Sequence, residues 1–383
     1  MKRANQHGYS LIELMIATSL AVITGMVALQ VAANFQLRRV TTGSKNEAVV
    51  SAAVGLYTIE RELRMAGSGL LSSEGLVCKS GINLQYNGIL VRNGEAQPLV
   101  NIVEGDSGPD TVEYLRSDVQ GSSSGAPANI IDIMTTPDAA LHVDSMDGLK
   151  TGDLYLATSN DGNKICTLYQ LSSDPIADVH TFKLFHVSGT TAPYNPESAT
   201  AFRNPIAYEV GDKVINLGRQ PISAFSVACR KIVAIGGDTS PGGNTTPRTC
   251  ELVRYAPLET EPVYGKGLAV ASEIIDLQAQ YGVAAVGSQS ISEWVDATGD
   301  TWKAPTVANF SRIKAIRVAI VARSEYDAAL VSPEKLTLWS EPPTGQVLVA
   351  SKLERTLTTE ERHYRYQVLT TIVPLVNIIQ AGL

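Results

Sequence analysis

Residues 9–29 carry a single charge, Glu13, in an otherwise apolar run. About 20 such residues, wound as a helix, are long enough to cross a bilayer. The sequence therefore predicts a transmembrane segment over 9–29. A secretory signal would close its apolar stretch with a small-residue cleavage site. No A-x-A site follows here. Instead a short polar leader, MKRANQHG, ends in Gly8 directly before the apolar run, so the segment is expected to be retained. Lys2 and Arg3 precede it and Arg38 and Arg39 follow it, which leaves orientation undecided by charge alone. All four cysteines, Cys78, Cys166, Cys229 and Cys250, lie after it. That side is expected to be the oxidising one, with the N-terminus cytoplasmic.

Glu13 is the anomaly of the run, because an acid in an apolar segment is costly without a partner cation. A cut after Gly8 would create an α-amino group on Tyr9, four residues from Glu13 and on the same helical face. Such a cut also removes Lys2 and Arg3, leaving 29 basic against 38 acidic residues.

Gly8, Tyr9, Leu11, Ile12, Glu13, Leu14 and Met15 together resemble the class III signal of type IV pilins and pseudopilins, with Tyr9 for the usual Phe and Ser10 for the usual Thr. The resemblance implies cleavage between Gly8 and Tyr9 by a prepilin peptidase and N-methylation of Tyr9. Three later stretches narrow it to minor pilins of the PilW type. Tyr57-Thr-Ile-Glu-Arg-Glu-Leu-Arg-Met-Ala-Gly67 resembles the end of their long helix. Ser272-Glu-Ile-Ile-Asp-Leu-Gln-Ala-Gln-Tyr-Gly282, followed by Trp302 and the stretch 313–324, resembles their later core. Tyr364-Arg-Tyr-Gln-Val-Leu-Thr-Thr-Ile-Val-Pro-Leu-Val-Asn377 resembles their ending, with Val376 where the family usually has Arg. No motif covers roughly 70–260.

Beyond residue 30 the chain turns polar but stays periodic. Val49, Ala52, Leu56, Ile59, Leu63 and Ala66 recur at steps of three and four, which is one apolar stripe of a helix. Glu60 and Arg64 stand i, i+4 in the favourable order. Gly67 and Gly69 read as the stop. A helix from Tyr9 to Ala66 would measure about 87 Å at 1.5 Å per residue, with Thr24, Gly25 and Thr41 to Gly43 as weak places. After residue 70 the alternation is mostly that of strands: 111–116, 129–134, 153–158, 164–171, 181–187, 222–235, 313–323 and 365–373, separated by Gly-, Ser- and Pro-rich loops. The expected fold class is α+β and pilin-like: a long N-terminal helix, transmembrane in its first half, packed on a large mainly-β domain. The expected divisions are a leader at 1–8, a transmembrane part at 9–29, an amphipathic helix at 30–67 and a periplasmic or pilus domain at 68–383.

The cysteines form no CxxC pair, which excludes zinc ribbons and thioredoxin-type motifs. Four cysteines allow three pairings. The preferred one joins Cys229 to Cys250 across a Gly- and Pro-rich loop and Cys78 to Cys166. The formal charge of -7, without a basic stripe, argues against a nucleic-acid partner. Gly105-Asp106-Ser107-Gly108 looks like a serine-protease motif, but only His7 precedes it. Gly121-Ser-Ser123-Ser-Gly125 fits G-x-S-x-G, but no helical run follows it. His142, His180, His186 and His363 are scattered, and Asp106 with Asp110 and Asp144 with Asp147 lack calcium-loop spacing. No enzyme, cofactor or metal is expected.

The functional expectation is a minor pilin that primes a type IV pilus or sits near its tip. Its partners would be other minor pilins, the major pilin, the prepilin peptidase, the inner-membrane assembly platform and a tip adhesin. Its location would be the inner membrane and then the fibre. A J-type pseudopilin of type II secretion, or a surface adhesin carried on a pilin helix, is the alternative.

Overall fold

The structure is a computed structural model, which describes residues 11–72, 75–106, 108–119, 127–146, 148–178, 181–198, 200–231, 248–328, 330–339, 347–349 and 354–380. Helix Leu11–Arg64 opens the chain. The rest is strand-rich and falls into several sheets. A six-stranded sheet has the order Ile89–Glu95, Ile82–Tyr86, Cys166–Gln170, Leu154–Thr158, Lys213–Gly218, Ala128–Asn129. A five-stranded sheet follows as Leu268–Ser272, Arg248–Tyr255, Ile222–Lys231, Thr111–Leu115, Val100–Val103. A second five-stranded sheet runs Val347–Val349, Ile291–Val295, Ile274–Ala284, Ile313–Arg323, Tyr366–Pro374. Smaller two- and three-stranded sheets fill the gaps.

Two expectations are corrected here. The fold class is not the expected α+β pilin with one mainly-β domain laid on a helix. The chain is predominantly β, and its strands divide among separate sheets rather than joining one layer. One main core cluster nevertheless draws on all three of the large sheets. The second correction is the membrane. Among the described residues no helix is long and apolar enough to cross one. The apolar half of helix Leu11–Arg64 is interrupted by Thr18, Ser19 and Thr24, whose hydroxyls donate back to carbonyls of the preceding turn. The expected transmembrane part, and with it the single-pass inner-membrane location, is overturned.

The strand reading is closest where apolar alternation is strongest. Ile313–Arg323 has the expected limits. All eleven of its residues are buried, as are those of Ile274–Ala284, because both faces of this sheet are covered. Ile316, Val318 and Ile320 face the same core as the helix. Ala319 and Val321 face a separate cluster with Leu338 and Trp339. The stretch 129–134 keeps only the short strand Ala128–Asn129 and a bridge from Ile130 to Val143.

The C-terminal part of the helix enters the main core. Its buried stripe is Ala48, Ala52, Ile59, Leu63 and Ala66, with Leu56 packed beside it. Val49, expected in the stripe, is 42% exposed, and Ala48 takes its place. The reason is size, because small residues let the helix approach two sheets at once. A Cβ on Gly55 would lie 3.1 Å from Leu252 and 3.4 Å from Ala271, on one sheet, and 3.4 Å from Ile320 on the other.

Candidate functional site

The residues singled out by the leader pattern are placed unevenly. Gly8 and Tyr9 lie outside the described residues. Glu13 lies in helix Leu11–Arg64, with its side chain outside the described set. The cysteines form two bonds, Cys78 to Cys166 and Cys229 to Cys250. Cys229 and Cys250 are direct register partners on neighbouring antiparallel strands. Cys166 opposes Ile82, four residues after Cys78, in a parallel pair. The bond therefore ties the chain that leaves the helix to the centre of the six-stranded sheet.

The rejected motifs have structural roles. Asp110 is buried and receives the amides of Gly105 and Ala279, both at 2.9 Å, which fixes its loop to strand Ile274–Ala284. Ser107, Ser123, Asp147 and His180 lie outside the described residues. His142 pairs with Asp132 at 3.0 Å. His186 is buried against Tyr155, 2.9 Å from its hydroxyl, and stacks on Tyr169. Burial lowers its pKa to about 4. Among the described residues no group of three or more His, Cys, Asp or Glu could hold a metal ion. Two clefts of about 630 and 670 Å³ share Thr151 and Arg219 on the outer face. Their charges are mixed, with Lys150, Arg219 and Arg254 against Asp174 and Glu259.

The most developed polar site is one the sequence did not single out. Glu62 is only 2% exposed, yet it lies on the helix between Ile59, Leu63 and Ala66. A carboxylate there must be compensated, because desolvation otherwise favours its neutral form. Arg61 reaches it at 2.9 Å and Arg116 at 3.0 Å, and Arg254 stands at 3.7 Å. Tyr114 donates its hydroxyl at 3.2 Å. Burial pushes the Glu62 carboxyl up, but these guanidinium groups together hold it below the usual carboxylate range. Burial and the neighbouring Glu62 raise Tyr114 to about 12. Arg116 and Tyr114 belong to, or directly follow, strand Thr111–Leu115, and Arg254 belongs to Arg248–Tyr255. Glu62 thus fastens the helix to one sheet.

A second set of contacts fastens it to the other. Glu60 bonds Arg64 at 2.6 Å, the expected i, i+4 pair, and receives Thr371 Oγ1 at 3.5 Å. At the helix end Gly67 takes φ +81°, the left-handed conformation that closes helices at low cost in glycine. Its amide donates to Leu115, back on the first sheet, at 2.8 Å. Asn377, from the far end of the chain, donates its side-chain amide to the Ala66 carbonyl at 2.7 Å. The sequence signal for Glu62 was present, since it is an acid three residues after Ile59 on the buried stripe. Nothing local marks Arg116 as its neighbour, or Asn377 as the partner of Ala66.

Behind this sheet lies a third polar cluster. Arg317, 6% exposed, donates to Gln280, which in turn donates to Asp296 at 2.6 Å. Its guanidinium sits 4.2 Å from the Trp339 ring centroid and 5.1 Å from that of Trp294. Asp276 binds Arg355 at 2.6 Å, and Arg355 continues to Glu361 at 3.1 Å. These networks explain how strands with Asp, Gln and Arg at interior positions are fully buried, because each polar head has a charged or amide partner.

Residues 243–377 match the model of the family described as type IV Pilus-assembly protein W. Over that stretch, about a third of the chain, the match supports a PilW-type assignment. The matched stretch spans the complete second five-stranded sheet, both interior networks behind it, Arg254 and, as its last residue, Asn377. The match connects the chain with type IV pilus assembly. No curated protein and no solved structure matches it.

Proposed function

We propose that this PilW-type chain is a minor pilin: a subunit that helps prime a type IV pilus or sits near its tip, not an enzyme. The observation that carries the reading is the pairing of two distant features. The pattern Gly8-Tyr9-Ser-Leu-Ile-Glu13-Leu-Met15 enters a helix beginning at Leu11. The far end of that helix is fixed, through Glu62 to Arg254 and through Ala66 to Asn377, to residues of the matched region.

In this reading the prepilin peptidase cuts between Gly8 and Tyr9, and Tyr9 is N-methylated. Glu13 then meets the positive N-terminus of an adjacent subunit. A paired acid and amine cancel in an apolar bundle, whereas either alone is costly there, so pairing selects one register between neighbours. Because Glu13 needs a neighbour's amine, the subunit sits below at least one other minor pilin. The size of the strand-rich part suits few copies, beside other minor pilins, the major pilin, the assembly platform and a tip adhesin.

Mass spectrometry of the N-terminus, on protein from sheared surface fibres, tests the reading. A peptide starting at methylated Tyr9 is expected. An intact Met1 terminus on the working form overturns it. Glu13→Ala is expected to leave protein abundance unchanged and reduce recovery with other pilins at least tenfold. Unchanged recovery would remove the assigned role of Glu13.

A further inference from the structure

Every open sheet has two edges, and an edge strand presents unpaired N–H and C=O groups that invite another strand. Folded proteins blunt such edges with charges, bulges, prolines, short length or a covering element. Most edges among the described residues of this chain are blunted in one of these ways. Ile89–Glu95 carries Arg92 and Glu95 and has two register shifts against its neighbour. At Leu268–Ser272 the helix's Ser51 donates to the Ser272 carbonyl and so takes up one of its acceptors. Val100–Val103, Ala128–Asn129 and Val347–Val349 are four, two and three residues long.

Tyr366–Pro374 differs. It is nine residues long, stands at the edge of the second five-stranded sheet and reads Tyr-Gln-Val-Leu-Thr-Thr-Ile-Val-Pro, without a charge. Its register against Ile313–Arg323 is unbroken. The bonds just beyond each end, Ser324 N–H to Arg365 and Leu375 N–H to Lys314, show which residues face inward. Odd-numbered residues bond to Ile313–Arg323. Tyr366, Val368, Thr370 and Ile372 therefore turn their N–H and C=O away from the sheet. Among the described residues the Val368 carbonyl is partly engaged, by the Gln367 amide at 3.3 Å, and no side-chain bond to the other outward groups is seen. Pro374, without an N–H, ends the row.

The surroundings also favour an extended guest. Thr370 and Ile372 are exposed, Ile372 at 55%. On the other face Thr371 touches Glu60 of the helix. Val49, Ala53 and Tyr57 share that flank of the helix by spacing, and all three are exposed. A strand laid along Tyr366–Pro374 would cover this apolar flank with every second side chain.

We propose that Tyr366–Pro374 is a strand-addition site, taken by an uncharged, alternately apolar segment of another pilus subunit; this rests on the reading of the chain as a pilus subunit. Backbone bonds to Tyr366, Val368, Thr370 and Ile372 supply attachment. The flank at Val49, Ala53 and Tyr57 selects apolar residues at alternate positions.

Ile372→Pro removes an outward N–H but no bond to Ile313–Arg323, while Ile372→Ala removes only the side chain. Thr370→Lys places a charge on the open edge without burying it. With subunit abundance and protease resistance unchanged, Ile372→Pro and Thr370→Lys are expected to lower surface pili at least tenfold, and Ile372→Ala less than twofold. Should Ile372→Pro fail to fold, Thr370→Lys decides. A photoreactive phenylalanine substituted for Thr370, irradiated in piliated cells, is expected to link to an extended segment of another pilus subunit. Normal piliation with either blocking variant, or links confined to this chain, overturns the proposal. If pili are lost with Glu13→Ala yet survive the edge variants, the strand-addition site falls and the pilin reading stands; if the working form also keeps an intact Met1 terminus, the pilin reading falls with it.

Discussion

At the scale of single residues the interior is decided by compensation. Glu62 is tolerable on a buried helix face because Arg116 and Arg254 arrive from two strands of one sheet. Removing the acid leaves Arg116, whose side chain is 14% exposed, without its partner. Glu62→Ala should therefore destabilise by about 3 kcal/mol, read as a shift in the denaturant midpoint, with Glu62→Gln milder. The folded-state pKa of Glu62 is depressed, so its contribution is present above the unfolded value of 4.5 and is lost as pH falls through the lower folded value. His186 behaves differently. Its folded pKa of about 4 lies below the unfolded 6.5. The unfolded chain then binds more protons between those values, and stability falls as pH drops from 6.5 toward 4. The loss is on the order of 3 kcal/mol. Denaturation curves at pH 7.5 and 4.5 should show it, and His186→Phe should flatten that slope; an unchanged slope would contradict the assignment.

At the scale of elements the helix shows what periodicity can and cannot reveal. Steps of three and four located Ala52, Ile59, Leu63 and Ala66 correctly, because one helix face must be apolar if it meets a core. The same spacing could not choose between Val49 and Ala48. That choice depends on how near the sheets stand, and Gly55 shows that they stand very near. A bulkier residue here has to displace Leu252 or Ile320. Gly55→Val should cost about 1–3 kcal/mol by overpacking, measured by thermal melting, even though valine gains on glycine in helix propensity. Asn377→Ala removes the bond to the Ala66 carbonyl and should cost about 1 kcal/mol. Hydrogen exchange should localise that loss to the last turn of the helix. Strands were legible where alternation was long, as in Ile313–Arg323, and illegible where pairing ended early, as after Asn129. Strand ends are fixed by partners, which local sequence does not contain.

At the scale of the whole molecule, the helix end wedges between two five-stranded sheets, and two disulfides fasten the strand-rich part. The Cys78–Cys166 bond closes 88 residues and the Cys229–Cys250 bond 21. In the chain-entropy account the longer closure contributes about 4–5 kcal/mol and the shorter about 3. Paired Cys→Ser variants should lower Tm in that order, and equal losses would show that native strain or residual structure dominates. By itself the sequence determined the family resemblance, the presence of a strand-rich part and the stripe along the outer helix, because motif spacing and periodicity are local properties of the chain. It did not determine which sheets form, that Glu62 meets Arg116 and Arg254, that Asn377 returns to cap Ala66, or that Tyr366–Pro374 is left at an edge. Those facts depend on residues tens to hundreds of positions apart, and only the packed core brings them within reach of one another.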